Sequence, residues 1–119
     1  MASILEPQPN AIPVGRMQDT LSSTTHTSSG ATAEDVYSTG GTAVPAGTFA
    51  VYLKASADNS GVAYVKANGT ASASDFDVVL EAGDNSDQIV VTHVTDKELT
   101  SLSCITAASG DIVYFTLKG

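Results

Sequence analysis

Two histidines, one cysteine and two short runs of side-chain oxygen are the groups in this chain that could do chemistry. His26 and His93 are the only imidazoles, and neither has a second His or Cys at ligand spacing, so no zinc site is expected. His93 alternates with Val91, which predicts a strand histidine on the side that Ile89 faces. Cys104 stands alone within the apolar segment Leu102 to Ile105. A single cysteine forms no internal disulfide, and without a histidine nearby in the sequence it reads as a small core residue rather than a nucleophile. Asp58-Asn59-Ser60 and Asp84-Asn85-Ser86-Asp87 offer the hard oxygen that calcium takes, yet neither carries the glycine and terminal glutamate of an EF-hand loop. Asp and Asn ordinarily cap their own turns, and that is the reading adopted for both runs. Asn68-Gly69-Thr70 matches the glycosylation pattern, but it is discounted because no secretion signal is read at the start of the chain. No Ser-His-Asp spacing, nucleophile elbow, phosphate-binding loop or dinucleotide fingerprint is found. The chain is therefore expected not to be an enzyme, with no catalytic residue, no metal ligand and no cofactor.

These groups have to be placed by strands. The stretch Phe76 to Val94 pairs two alternating runs, Phe76-Val78-Leu80 and Ile89-Val91, around an acidic turn, which predicts a β-hairpin with Phe76, Val78 and Leu80 on the core face. The doubled valines, Val78-Val79 and Val90-Val91, predict that both faces of this hairpin meet something apolar, in the interior or at a subunit contact. Thr48 to Ser56 and Val62 to Ala67 predict a second hairpin across the turn Ala57 to Gly61. Ser101 to Ala107 and Asp111 to Lys118 complete six strands, and Thr95 to Leu99 reads as one helical turn. Short strands without a long amphipathic helix predict an all-β chain, a small antiparallel sandwich or barrel with an extended N-terminal arm.

The arm is residues 1–41 and the compact β domain residues 42–119, divided at Gly40-Gly41. Three of the four prolines lie between Met1 and Val14, where they favour extended backbone. Asp19 to Ala33 is dominated by Ser and Thr, so on its own it is expected to be mobile. Ile4, Leu5, Ile12, Val14, Met17 and Leu21 are spaced along this arm as apolar anchors for a partner, which would be met by strand addition or in a groove.

Of the 119 residues 42 % are hydrophobic, much of it Ala and Val, with no Trp; a core this thin predicts an oligomer. The formal charge of −8, with five bases scattered along the sequence, argues against nucleic acid as a partner. No run reaches the roughly 20 apolar residues of a membrane span, and the start lacks the features of a secretion signal, so cytosolic synthesis is expected.

A Pro-containing, Ser/Thr-rich arm joined to an acidic domain of Val-, Ala- and Gly-rich strands resembles the head decoration (cement) proteins of tailed bacteriophages. The stretches that carry the likeness are Pro45-Ala46-Gly47-Thr48-Phe49-Ala50-Val51 and Ser109-Gly110-Asp111-Ile112-Val113-Tyr114-Phe115. The resemblance implies a non-enzymatic virion protein made in the host cytoplasm. It implies a homotrimer on the capsid exterior that binds the major capsid protein and stabilises the shell. The alternative is a small β-sandwich binding module, for carbohydrate or protein, from a phage fibre or surface protein. In that case Tyr37, Tyr52, Tyr64 and Tyr114 are candidate stacking platforms.

Overall fold

A computed structural model describes residues 19–85, 89–90 (backbone) and 98–119 of the chain. Within these residues there is no helix, and so none long and apolar enough to cross a membrane. Eight strands run in chain order: β1 (Thr20–Thr27), β2 (Glu34–Tyr37), β3 (Ala50–Ala55), β4 (Ala63–Ala67), β5 (Val78–Leu80), β6 (Ile89–Val90), β7 (Leu102–Ile105) and β8 (Ile112–Lys118). They form two four-stranded antiparallel sheets, ordered β1-β8-β3-β6 (sheet A) and β2-β7-β4-β5 (sheet B). The fold is a small all-β sandwich, as its strand pattern predicts.

Alternation decides which side chains lie between the sheets. Val51, Leu53 and Ala55 of β3 and Val113, Phe115 and Leu117 of β8 are buried, and they meet Tyr37, Val65, Leu80, Leu102 and Cys104 from the other sheet. The interior is made chiefly of Val, Leu and Ala around two rings, Tyr37 and Phe115, which pack edge to face with centroids 6.3 Å apart.

The six strands expected from the sequence are present, but the two expected hairpins are not. β3 lies in sheet A and β4 in sheet B, and β5 and β6 are divided in the same way. Each pair is joined by a connection that arches from one sheet to the other. The physical reason is that alternation tells which face of a strand is apolar, not which neighbour it bonds; an arch buries the two apolar faces against each other as well as a hairpin would. Only β4 and β5 are consecutive and paired, with Tyr64 opposite Val79.

Two further expectations are corrected here. The Ser/Thr segment read as mobile contains β1, paired along its length with β8, and β2 follows it in sheet B. The sandwich therefore includes residues on the N-terminal side of the boundary at residue 41. The second concerns Phe76, expected on the core face with Val78 and Leu80: Leu80 is buried, but Phe76 is 39 % exposed, and Val79 at 47 % is open to solvent within the single chain. Phe76 precedes β5 and so escapes the inward pleat, lying instead on the ring of Tyr64 at 4.9 Å between centroids. His93 and most of the expected helical turn at 95–99 lie outside the described residues.

The gap between the edge strands β1 and β2 of the two sheets is bridged by polar side-chain contacts. Half-buried Ser22 and Thr24 on β1 share hydrogen bonds of 2.8 and 2.9 Å with the hydroxyl of Tyr37 on β2. His26 follows on the same side, its buried Nε2 3.5 Å from Oε1 of Glu34 but in no hydrogen bond among the described residues, while the Glu34 carboxylate accepts from the Ser29 amide at Oε1 and the Ser29 hydroxyl at Oε2. A strand with almost no apolar residue is thus held by its ladder to β8 and by hydroxyl groups that reach across the sandwich.

Candidate functional site

Of the turn residues that could have bound a cation, Asn59, Ser60 and Asp84 are engaged within the fold, and Ser86 and Asp87 lie outside the described residues. Asn59 clamps the start of β8, donating from Nδ2 to the carbonyl of Ile112 (2.9 Å) and accepting the Ile112 amide at Oδ1 (2.7 Å). The Ser60 amide and hydroxyl both donate to Asp111. Asp84 accepts the Glu81 amide, closing its own turn. Asn68, in the left-handed region at φ 55°, donates to the carbonyl of Glu98 and accepts from the Thr100 amide and hydroxyl, so the side chain of the apparent glycosylation site ties β4 to the approach to β7. Among the described residues no group of three or more His, Cys, Asp or Glu is placed to hold a metal ion.

Cys104 is buried on β7, and burial, reinforced by the negative charge of Glu34, pushes its thiol up to about 12. It belongs to the core, as its sequence context predicts. A thiol reagent is expected to label Cys104 only as fast as the sandwich opens, so labelling should be slow in buffer and rapid in denaturing urea. Rapid stoichiometric labelling of the native protein would contradict this placement.

Two carboxyl groups sit below the ordinary range. At Glu34 the Ser29 amide is the largest cause, followed by the Ser29 hydroxyl against some burial, with a contribution from the charge of His26. At Asp111 burial pushes upward but is outweighed by the amide and hydroxyl of Ser60 and the amides of Ala108 and Ala107. Groups whose folded pKa is depressed stabilise the fold above the unfolded value, and that contribution is lost as pH falls through the folded one. The urea midpoint is accordingly expected to hold between neutrality and about pH 5 and to fall below about pH 4. Asp111→Asn should flatten part of that fall; an unchanged acid limb would show that Asp111 contributes nothing to it.

What is left for function lies on the outward faces of the two sheets. On sheet A, Tyr52 and Lys54 of β3 and Tyr114, Thr116 and Lys118 of β8 alternate with the buried residues and point away from the interior. Register places Lys54 opposite Tyr114 and Tyr52 opposite Thr116, and the Lys118 ammonium lies 5.4 Å from the centre of the Tyr52 ring. A concavity of about 430 Å³ opens at one end of this face, lined by Lys54, Ser56, Ala57, Gly83 and Tyr114. On sheet B, Ile105, Tyr64 and Val79 form one cross-strand row, with Phe76 laid on Tyr64. Asp35, Ser103 and Lys66 form the next row, but Ser103 is wholly buried, its hydroxyl accepting the Ala71 amide from the segment that crosses this part of the sheet. Lys66 is bonded to Asp75 at 2.8 Å, and this bond, helped by the charge of Asp77, raises its pKa. A smaller hollow of about 320 Å³ beside that row is lined by Asp35, Thr39, Thr70 and Thr100 among others, hydroxyl groups without a histidine to activate them.

Among the described residues neither face gathers a nucleophile, a base and an orienting group. Both present broad aromatic and apolar surface, which suits contact with a macromolecule better than turnover of a small molecule. Of the anchors read from the sequence, Leu21 is described: it is the bulged residue of β1, 38 % exposed, with its side chain close to Gly119. Ile4, Leu5, Ile12, Val14 and Met17 lie outside the described residues. The sharing of one face by Lys54 and Lys118 was beyond local reading, since the two are far apart in sequence and meet only through the β3–β8 register. Comparisons with protein-family models, with curated proteins and with solved structures find no match to this chain.

Proposed function

We propose that the chain is a non-enzymatic structural protein of a tailed-phage virion, binding the outside of the capsid and stabilising it as a self-associated homotrimer. The observation that carries this reading is the outward row in which half-buried Ile105 and Tyr64 adjoin exposed Val79 and Phe76, apolar surface on a domain whose interior is too thin to spare it. The resemblance supplies the phage setting. Attachment of the N-terminal segment favours a reaching arm: Asp19 and Gly119 exchange backbone hydrogen bonds of 2.9 and 3.0 Å at the start of the edge strand β1. Residues 1–18 therefore join the body at an open sheet edge, where strand addition to a capsid subunit is available. The second reading, a binding module for carbohydrate, is favoured by Tyr52 and Tyr114 sharing one outward face.

Capsids of the source phage, stripped of the protein and reloaded, provide the test. The full chain should occupy its sites, and a chain beginning at Asp19 should do so at least tenfold less. Equal occupancy would remove the arm from the proposal, and failure of the full chain to bind would remove the capsid. Retention on a glycan array, with no capsid binding, would establish the second reading.

A further inference from the structure

The two outward faces differ in charge in a way that fits one to the other. Strands β1, β3 and β8 of sheet A contain no Asp or Glu, and their outward side bears two ammonium groups, Lys54 and Lys118, set beside Tyr52 and Tyr114. Sheet B and its approach bear Asp35, Asp75 and Asp77 with one base, Lys66, which is already bonded to Asp75. In a chain of net charge −8 with five bases, two bases and no acid on these three strands make a local reversal of the whole molecule's charge, bounded by the acidic turn of Glu81 and Asp84, which meets β3 where Asn85 bridges to Lys54. Both faces also carry aromatic surface: Tyr114 is 39 % exposed on sheet A, and Phe76 and Val79 are exposed on sheet B.

We infer that copies of this chain associate front to back, the outward face of sheet A of one copy docking on the outward face of sheet B of the next. The occupant of each face is thus a second copy, selected by lysine against aspartate and by aromatic against apolar surface. Pairing like faces would set the carboxylates of sheet B against each other, or the ammonium groups of sheet A, at a cost that front-to-back docking avoids. Such a contact is heterologous: it closes into a ring when each step turns by the right angle and otherwise continues as a row. Four strands at about 4.8 Å spacing and, on sheet B, lengths of three to five residues at about 3.3 Å each give roughly 200–300 Å² of flat projection on that face. This is small for a stable contact, so association should depend on concentration and weaken with salt. The inference rests on the reading that the chain self-associates and specifies the surfaces that do it.

Sedimentation of the full chain and of two variants separates the possibilities. Val79→Lys spoils the sheet B face and Tyr114→Asp the sheet A face, both at exposed positions; Val79→Arg and Lys54→Glu serve as a second pair if either variant loses its far-UV circular dichroism. Each variant alone should associate at least tenfold more weakly than the parent chain. Mixed in equal amounts, they retain one intact face each and should form a dimer that grows no further. Self-association of Tyr114→Asp at parental strength would mean that sheet B faces pair with each other, and a mixture that stays monomeric would mean that the two faces do not meet; either result overturns the inference while leaving self-association standing. A parent chain monomeric at every concentration would overturn both.

Discussion

Replacing Tyr37 with alanine is expected to cost about 3–5 kcal/mol, the range for removing a large buried ring. A domain of this size has roughly 5–15 kcal/mol in all, so the variant should be near or beyond its unfolding midpoint in mild urea. The ring has no exposed surface and lies against Phe115, the other aromatic ring of the core, and the neighbouring Val, Leu and Ala side chains are too short to fill the space it would leave. Its hydroxyl is also where Ser22 and Thr24 of the opposite sheet converge. Tyr37→Phe separates the two roles. It keeps the ring and leaves two hydroxyl groups without their partner, for an expected loss of about 1–2 kcal/mol. Urea unfolding followed by circular dichroism measures both midpoints. An alanine variant as stable as the parent would refute the role given to the ring, and a phenylalanine variant as damaged as the alanine one would place the whole effect in the polar seam.

The second large effect is expected at Asn59. Its amide group acts as a short stretch of neighbouring strand, exchanging two hydrogen bonds with the backbone of Ile112 where β8 enters the centre of sheet A. In Asn59→Ala the Ile112 carbonyl keeps the Ser56 amide as a donor, but the Ile112 amide loses its acceptor. A backbone donor stranded in this way costs about 1–3 kcal/mol. Asn59→Asp, which keeps an acceptor and loses the donor, should fall between the parent and the alanine variant. Amide hydrogen exchange gives the local readout: the Ile112 amide should exchange faster in Asn59→Ala by a factor larger than the loss of global stability explains. Equal protection in both chains would show the clamp to be idle.

These two residues also mark where sequence reasoning succeeds and where it stops. Val51, Leu53, Val113, Phe115 and Leu117 were legible as core because a strand's period of two is a local property, written in neighbouring residues. Leu80 obeyed the same rule, but Phe76 did not, since the pleat begins two residues after it and alternation alone does not say where a strand starts. Strand β1 was hidden by its composition. A segment of Ser and Thr has no apolar face to signal burial, yet an edge strand next to a hydroxyl such as that of Tyr37 needs none; its threonines were the available sign, being favourable in strands. The arched connections and the shared face of Lys54 and Lys118 depend on register between distant segments, and no local pattern encodes that.

The arching of nearly every connection from one sheet to the other bears on how the chain reaches this state. β8 lies between β1 and β3, and Thr20 pairs with Lys118 at the far end of the chain. Neither sheet is a contiguous piece of sequence, so neither can serve as an early, self-contained folding unit, and every ladder except that of β4 with β5 forms only by closing a long loop. Such topologies sit at the slow end of two-state folding. During synthesis from the N-terminus, β1 and β3 emerge without the strand that joins them, and their open edges wait for β8. Folding is therefore expected to be a single slow event that follows completion of β8, rather than a gradual assembly along the nascent chain.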